Sequence, residues 1–178
     1  MSDLVVTADA PDAPDGPVTK GWATLDTRRY RCALGRGGII AEKREGDGGT
    51  PVGRFPLRQL YYRADKGVSP VTTLPVRALS RADGWCDAPD HAAYNRPVPL
   101  PFAASHEKMW RDDYLYDLIL VIGHNDDPPV PYHGSAVFVH LAHEDYRPTE
   151  GCIAFKRSDL EEILASLKPD DAVVVKLA

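Results

Sequence analysis

Residues 134–155 read GSAVFVHLAHEDYRPTEGCIAF, and the interpretation of the whole chain starts from this stretch. Its first half, from Ala136 to His140, is β-branched or aromatic on both faces, which predicts a buried strand that ends at His140. A polar loop containing Pro148 follows, and Gly151 then directly precedes Cys152. Glycine allows backbone geometry in which the thiol and its own amide face one pocket. The stretch therefore predicts an imidazole and a thiol on neighbouring walls of one site.

A thiol beside an imidazole is the arrangement that nucleophilic cysteine chemistry requires. The thiolate is the nucleophile, but a thiol of ordinary pKa is mostly protonated near neutrality. A neighbouring histidine can take that proton and later return it to a leaving amine. Taken one at a time, each residue has a simpler interpretation, because Cys152 could be a small buried hydrophobe and His140 a hydrogen-bonded core residue.

Two separated motifs favour the catalytic interpretation. The first is His140, a loop, and then Thr149-Glu150-Gly151-Cys152, with Gly134-Ser135-Ala136 leading into the strand. The second is residues 43–55, KREGDGGTPVGRF, and the segments WCD at 85–87 and YNR at 94–96 add to it. Over about residues 37–175 the chain resembles the L,D-transpeptidase (YkuD-like) catalytic domain family.

The resemblance implies an activity and a set of site residues. Cys152 would be the nucleophile and His140 the base in a cysteine-dependent acyl transfer on peptidoglycan stem peptides. The bond cleaved would be the L,D bond before a terminal D-alanine, through a thioester, with an amine or water as acceptor. No cofactor is implied. The oxyanion and substrate-binding residues are expected among Gly151, Thr149, Glu150, Tyr132, His133, Gly134 and Ser135.

Three alternatives remain open on the residues. The first is a cytoplasmic L,D-carboxypeptidase acting only on recycled muropeptides. The second is a non-catalytic peptide-binding module on the same fold, because Glu150 stands where many members carry His and Ala154 stands where Asn or Arg is common. The third is a metal-dependent hydrolase, but no His-x-x-x-His pair occurs, so no metal site is predicted. The residues weighed for a metal are His124, Asp126, Asp127, His133, His140 and His143.

Composition limits the partner and the compartment. The 178 residues are 43% hydrophobic and 26% charged, which predicts a single domain over residues 1–178. A formal charge of −5 with scattered Lys and Arg argues against nucleic acid, so the expected partner is a stem peptide or muropeptide, bound by a monomer. No run is long and apolar enough for a membrane, and Met1-Ser2-Asp3 does not begin a signal peptide. A cytoplasmic protein is expected, or a periplasmic or cell-wall protein if a leader was removed.

The periodicities predict a mostly β fold like a β-sandwich, with two packed sheets, one or two short helices and the site in the cleft between the sheets. The three cysteines are expected to be free thiols, with Cys32 and Cys86 structural. Residues 8–17 predict a mobile loop, and the four prolines within 81–104 predict an extended loop or lid. Residues 105–110 predict one helical turn, and a capping box at 158–161 predicts a helix that ends at Pro169. The strands are predicted over 4–7, 22–25, 30–33, 39–43, 57–62, 71–79, 116–122, 136–140 and 172–177.

Overall fold

The computed structural model describes residues 2–10 and 16–177. Residues 11–15 of the predicted mobile loop lie outside these described residues. The elements in chain order are β1 Leu4–Ala8, β2 Lys20–Leu25, β3 Arg28–Ala33, β4 Ile39–Ile40, β5 Thr50–Pro51, β6 Gly53–Tyr62, β7 Val76–Ala78, β8 Asp83–Cys86, β9 Pro97–Pro99, β10 His106–Lys108, β11 Leu118–Ile122, β12 Phe138–Leu141, β13 Ile153–Phe155, α1 Arg157–Ser166 and β14 Ala172–Lys176. The predicted mostly β class is confirmed.

The main sheet closes on itself. Its nine strands run in the order β11-β12-β13-β3-β2-β1-β14-β6-β7, and β11 also pairs with β6. The sheet can close because β6 is ten residues long. Its first half pairs with β14 and its second half pairs with β11. The two layers expected from the sequence are therefore two sides of one closed sheet. Closure pairs the edge of β11 that an open sheet would expose, and β7 remains as a short edge strand.

The interior of this closed sheet holds the principal core. Leu4, Leu60, Leu120 and Ile153 are all fully buried there. Strand β11 is buried at every position, as expected for a strand that is covered on both faces. Its inner side contributes Leu118, Leu120 and Ile122 to the core, while Ile119 and Val121 belong to a second cluster beneath the site.

A small sheet covers this second cluster. Its order is β10-β8-β9, and it is formed by residues for which the sequence predicted a loop or lid and a helical turn. The helical turn at 105–110 is wrong, because His106 to Lys108 pair antiparallel with Gly84 to Cys86. Pairing with a distant segment overrides local helix signals, since it satisfies the backbone of both strands. The predicted strand at 71–79 is likewise confined to Val76–Ala78.

The helix α1 follows the site and fixes that end of the chain to the core. It buries Leu160, Ile163 and Leu164 along one face. The predicted capping box is wrong, because the cap residue is Lys156, with no side-chain cap hydrogen bond, and Ser158 Oγ bonds the Asp159 carboxylate instead. Among the described residues, no helix has the length and apolar character needed to cross a bilayer.

Candidate active site

The strand register brings His140 and Cys152 to one cavity. Strands β12 and β13 are parallel neighbours, with His140 opposite Ala154. Cys152 lies two residues before Ala154, and alternating side chains share a face, so it points to the same side of the sheet. His140, Cys152 and Ala154 all line a cavity of about 420 Å³. A volume in this range suits a peptide-sized ligand.

A backbone carbonyl sets the orientation and the tautomer of His140. The Nδ1 atom lies 2.9 Å from Leu141 O. A carbonyl oxygen can only accept, so Nδ1 carries the proton and Nε2 keeps its lone pair. The ring packs edge-on against Tyr116 at 5.1 Å between centroids and is 6% exposed. Burial lowers the pKa of His140 to about 4, so the ring is neutral at neutral pH.

The thiol of Cys152 rests in the protonated form. Its Sγ accepts from Phe138 N–H and donates to Ala136 O, each at 3.3 Å. Burial, followed by the negative charge of Glu107, raises the pKa of Cys152 to about 12. The resting pair is therefore a neutral thiol and a neutral imidazole. In this arrangement the S–H is donated to Ala136 O and not to His140.

Ala136 holds an unusual backbone conformation at this point. Its φ is +51°, in the left-handed region that non-glycine residues seldom adopt. The buried side chain of Asn95 supports it, because Asn95 Oδ1 accepts from Ala136 N–H at 3.1 Å and from Trp85 Nε1–H at 2.9 Å. The Asn95 amide nitrogen donates to His124 O at 2.9 Å and Asn125 O at 2.7 Å. Asn95 thus links the small sheet to the carbonyl that binds the nucleophile.

The loop before Cys152 is held by Thr149. Its hydroxyl donates to Cys152 O at 2.6 Å and accepts from Gly151 N–H at 3.1 Å. Gly151 has a φ of +130°, and a Cβ added there would lie 2.8 Å from Gly49 O, so only glycine fits. The Glu150 side chain is 79% exposed and pairs with Arg36 at 2.7 Å. Thr149 and Glu150 both line the cavity, with Thr149 serving to shape the loop.

The segment from Tyr132 to Ser135 reaches the cavity only at its end. Ser135 lines the cavity and donates from Oγ to Glu45 at 2.8 Å. Gly134 N–H donates to the hydroxyl oxygen of Tyr94 at 3.0 Å, while His133 lines a separate groove with His124. Tyr132 is 49% exposed and bonds Asp90. These three residues therefore lie outside the cavity lining.

The sequence interpretation missed most of the charged residues of the cavity. A polar part of the lining comes from segments far away in sequence, namely Lys43, Glu45, Asp87, Glu107, Arg111 and Tyr116. The sequence held one signal for Asp87 and Glu107. In an extended strand Asp87 lies two residues after Trp85 and so on the same face, and Glu107 is the central residue of another short segment, HEK. Their pairing could not be read from either segment alone.

A metal centre has no support in the geometry. Within the ranges that the structure describes, no three His, Cys, Asp or Glu side chains gather as metal ligands. The ring Nε2 of His124 lies 3.1 Å from His133 O. The cysteines Cys32, Cys86 and Cys152 are all free thiols, and each of them is buried.

The comparison with known proteins agrees with this geometry. The family model for the L,D-transpeptidase catalytic domain, YkuD, matches residues 19–175. No curated protein and no solved structure matched the chain. The match covers most of the chain and contains both motif segments, His140, Cys152 and every strand of the closed sheet except β1 and the last residue of β14. The chain therefore belongs to the YkuD family of L,D-transpeptidase catalytic domains.

Proposed function

We propose that this protein is a cysteine acyltransferase that cleaves the L,D bond before a terminal D-alanine in peptidoglycan stem peptides. The observation that carries the proposal is the position of His140 and Cys152 on one face of adjacent strands, with Nδ1 committed to Leu141 O and Nε2 left as a base. Both line one cavity of about 420 Å³. The family supports peptide acyl transfer as the reaction type.

The proposed reaction has two halves. In the first, Nε2 of His140 takes the proton of Cys152 while Sγ bonds to the carbonyl carbon, and the C–N bond then breaks. The proton passes from Nε2 to the departing amine, so D-alanine leaves and a thioester remains on Cys152. In the second half, an amine or water attacks the thioester and Sγ leaves with a proton. Because both resting groups are neutral, proton transfer and attack occur together.

The loop before Cys152 limits the choice of oxyanion donor. The N–H of Gly151 is already donated to Thr149 Oγ1 in the resting state. The N–H of Cys152 itself is the remaining candidate on this loop, and it follows a glycine whose φ of +130° turns the backbone sharply. Loss of one such donor costs about 3 kcal/mol of transition-state stabilisation in other acyl-transfer enzymes.

Product analysis tests the proposal. The protein is incubated with L-alanyl-γ-D-glutamyl-L-lysyl-D-alanine, with and without an amine acceptor, and the products are separated by liquid chromatography with mass detection. Release of D-alanine and a mass increase on Cys152 equal to the tripeptide acyl group are expected. Tripeptide alone identifies water as the acceptor, and a tripeptide–acceptor conjugate identifies an amine.

Two substitutions make the assay decisive. Cys152→Ala should abolish both D-alanine release and the acyl adduct, because it removes the sulfur that forms the thioester. Cys32→Ala replaces another buried thiol, in β3, and should keep both signals. Turnover that survives in Cys152→Ala, or a folded wild-type protein that binds the peptide and releases no D-alanine, would contradict the proposal.

A further inference from the structure

One carboxylate in the active-site cavity has no protein partner. Asp87 lines the cavity, and its Oδ1 is shielded from solvent yet accepts no hydrogen bond from any residue in the described ranges. Its backbone is fixed, because Asp87 N–H donates to Ser105 O at 3.2 Å. A buried polar atom without a partner is uncommon in folded proteins and calls for an explanation. Because Asp87 lines the cavity, turning its side chain into the cavity would bring this oxygen to a donor on a ligand.

The basic and the acidic residues of the cavity lining differ in whether they form ion pairs. The lysine and arginine side chains of the lining already have carboxylates: Lys43 pairs with Asp47, Arg111 with Asp113 and Arg147 with Asp145. The acidic residue Glu150 pairs with Arg36. The other three acidic residues, Glu45, Asp87 and Glu107, make no ion pair within 4.0 Å in the part of the chain that the structure describes. Cations act on these three carboxylates only from beyond that distance, as Arg111 does on Glu107.

Two of these carboxylates have neutral donors only. Glu45 accepts from the hydroxyls of Tyr94 and Ser135, and Glu107 accepts from the hydroxyl of Tyr116. Hydroxyl donors satisfy an oxygen atom but leave the charge in place. The lysine and arginine side chains of the lining therefore hold other partners, and the Glu45, Asp87 and Glu107 group can accept hydrogen bonds from a cation.

The three carboxylates lie close enough to influence one another. Burial raises the pKa of Glu107, Asp87 and Glu45 raise it further, and the Tyr116 hydroxyl and Arg111 oppose the rise. The sheet register gives the reason, because Glu107 in β10 is directly opposite Trp85, and Asp87 lies two residues beyond Trp85 on the same face. The small sheet thus directs Asp87 and Glu107 towards one space in front of Cys152.

We infer that Glu45, Asp87 and Glu107 form a subsite for an ammonium group of the substrate, and that the Asp87 carboxylate turns into the cavity to accept from it. The inference rests on the proposed function, and it specifies a substrate that bears a free amine near the L,D bond. Two sources have this chemistry: the side-chain amine of a diamino acid in the donor peptide, and the amine of the acceptor.

The subsite would also couple binding to the reactivity of the nucleophile. The charge of Glu107 contributes to the raised pKa of the Cys152 thiol. An ammonium ion bound between the carboxylates opposes that charge and favours the thiolate. A substrate without the ammonium group would lose both the contact and this activation.

Binding to a catalytically inactive protein tests the subsite without depending on turnover. In the Cys152→Ala background, calorimetry compares Nα-acetyl-L-alanyl-γ-D-glutamyl-L-lysyl-D-alanine with the same peptide acetylated at the lysine Nε. The free-amine peptide should bind at least tenfold more tightly, and Asp87→Asn should reduce that ratio to nearly one. Asp170→Asn, an exposed carboxylate far from the cavity lining, is the matched control and should keep the ratio. Circular dichroism melts establish that each variant is folded.

The outcomes separate the two sources and the two proposals. If both peptides bind equally, a second experiment uses the protein with Cys152 intact. It measures how the acyl group divides between hydrolysis and transfer to an amine, with the acetylated peptide as donor and Nα-acetyl-L-lysinamide as acceptor. A ratio of conjugate to hydrolysis product that falls at least tenfold in Asp87→Asn assigns the subsite to the acceptor amine. No effect of Asp87→Asn in either measurement overturns the subsite. Asp87-dependent binding without D-alanine release in the wild type keeps the subsite and rejects the acyltransferase.

Discussion

At the scale of single residues, burial sets which protonation state His140 and Cys152 favour. Water is excluded from His140 and Cys152, which are 6% and 7% exposed, and exclusion disfavours the charged form of each. The pKa of the imidazole falls to about 4 and that of the thiol rises to about 12. The free protein thus holds an unreactive thiol, in contrast to cysteine enzymes that keep a preformed thiolate. Reactivity then depends on the bound substrate.

The pH dependence of the rate follows from the same shift. His140 must be neutral to accept the thiol proton, and its pKa is lowered from 6.5 to about 4. We expect kcat/KM for the tetrapeptide to stay level from pH 7 to about 5 and to fall about tenfold per unit below pH 4. An acid limb centred near 6.5 would show that the imidazole is solvated and contradict the burial argument.

Acid stability must be followed alongside this profile. Between pH 6.5 and 4 an unfolded His140 binds a proton that the folded residue does not. Its contribution to the free energy of unfolding is therefore intact above pH 6.5 and is lost as the pH falls towards 4, to a total of about 3 kcal/mol. Circular dichroism at each pH provides the folded fraction, to which the rates are normalised.

At the scale of elements, the connection between β11 and β12 carries the strain of the site. The chain enters β12 through the left-handed Ala136, and Asn95 from the loop between β8 and β9 holds it there. Residues in sparsely populated conformations persist only when their surroundings hold them, and such residues gather at functional sites. Asn95 is a positioning residue in this scheme, because it acts on Cys152 through the Ala136 carbonyl.

Replacing Asn95 should therefore affect chemistry more than binding. Asn95→Ala removes the acceptor for Ala136 N–H and Trp85 Nε1–H and takes a hydrogen-bond partner from four buried or half-buried polar groups. We expect a loss of about 2–4 kcal/mol in stability and at least a tenfold fall in kcat with little change in KM. Both are measured at a temperature where the variant is fully folded.

The matched control is Asn125→Ala. The Asn125 side chain also forms an amide network, donating to Val130 O at 3.0 Å and Gly134 O at 2.9 Å, but it makes no hydrogen bond to Ala136 or Cys152 among the described residues. A similar loss of stability with kcat kept is expected for it. Equal losses of kcat in both variants would mean that Asn95 acts only through general stability.

At the scale of the whole molecule, both ends of the described chain belong to the closed sheet. Strand β1 pairs in parallel with β14, with Leu4 opposite Val173 and Val6 opposite Val175, and all four side chains are at most 1% exposed. Termini usually fray, but these strands close the sheet between β2 and β6. Opening either strand would expose the principal core.

Hydrogen exchange measures this directly. Backbone amides of Leu4–Ala8 and Ala172–Lys176 should exchange only with global unfolding, within about 1 kcal/mol of the amides of Phe138–Leu141. Mass spectrometry of peptic peptides resolves the three segments. Exchange at the terminal strands that is faster by orders of magnitude would show that they open independently and that the sheet is not closed in solution.

Local pattern was enough for several features of this protein. The apolar runs of β11 and β12 predicted buried strands, since a strand covered on both faces needs apolar side chains at every position. The same apolar run predicted that β12 ends near His140, and the sequence has a glycine directly before Cys152. The helical spacing of Leu160, Ile163 and Leu164 predicted α1. These features depend on residues that are close together in the sequence, so local patterns are enough to predict them.

Only the tertiary structure decided which distant residues complete the site. The strand β10 replaced the predicted helical turn because His106 to Lys108 pair with a segment about twenty residues earlier, which is not visible from local propensity. That pairing brings Asp87 and Glu107 to the cavity, and the loop carrying Asn95 holds Ala136 in the left-handed region. The pKa shifts of His140 and Cys152 could not be predicted from the sequence either, because desolvation depends on the residues that pack around each group from every side.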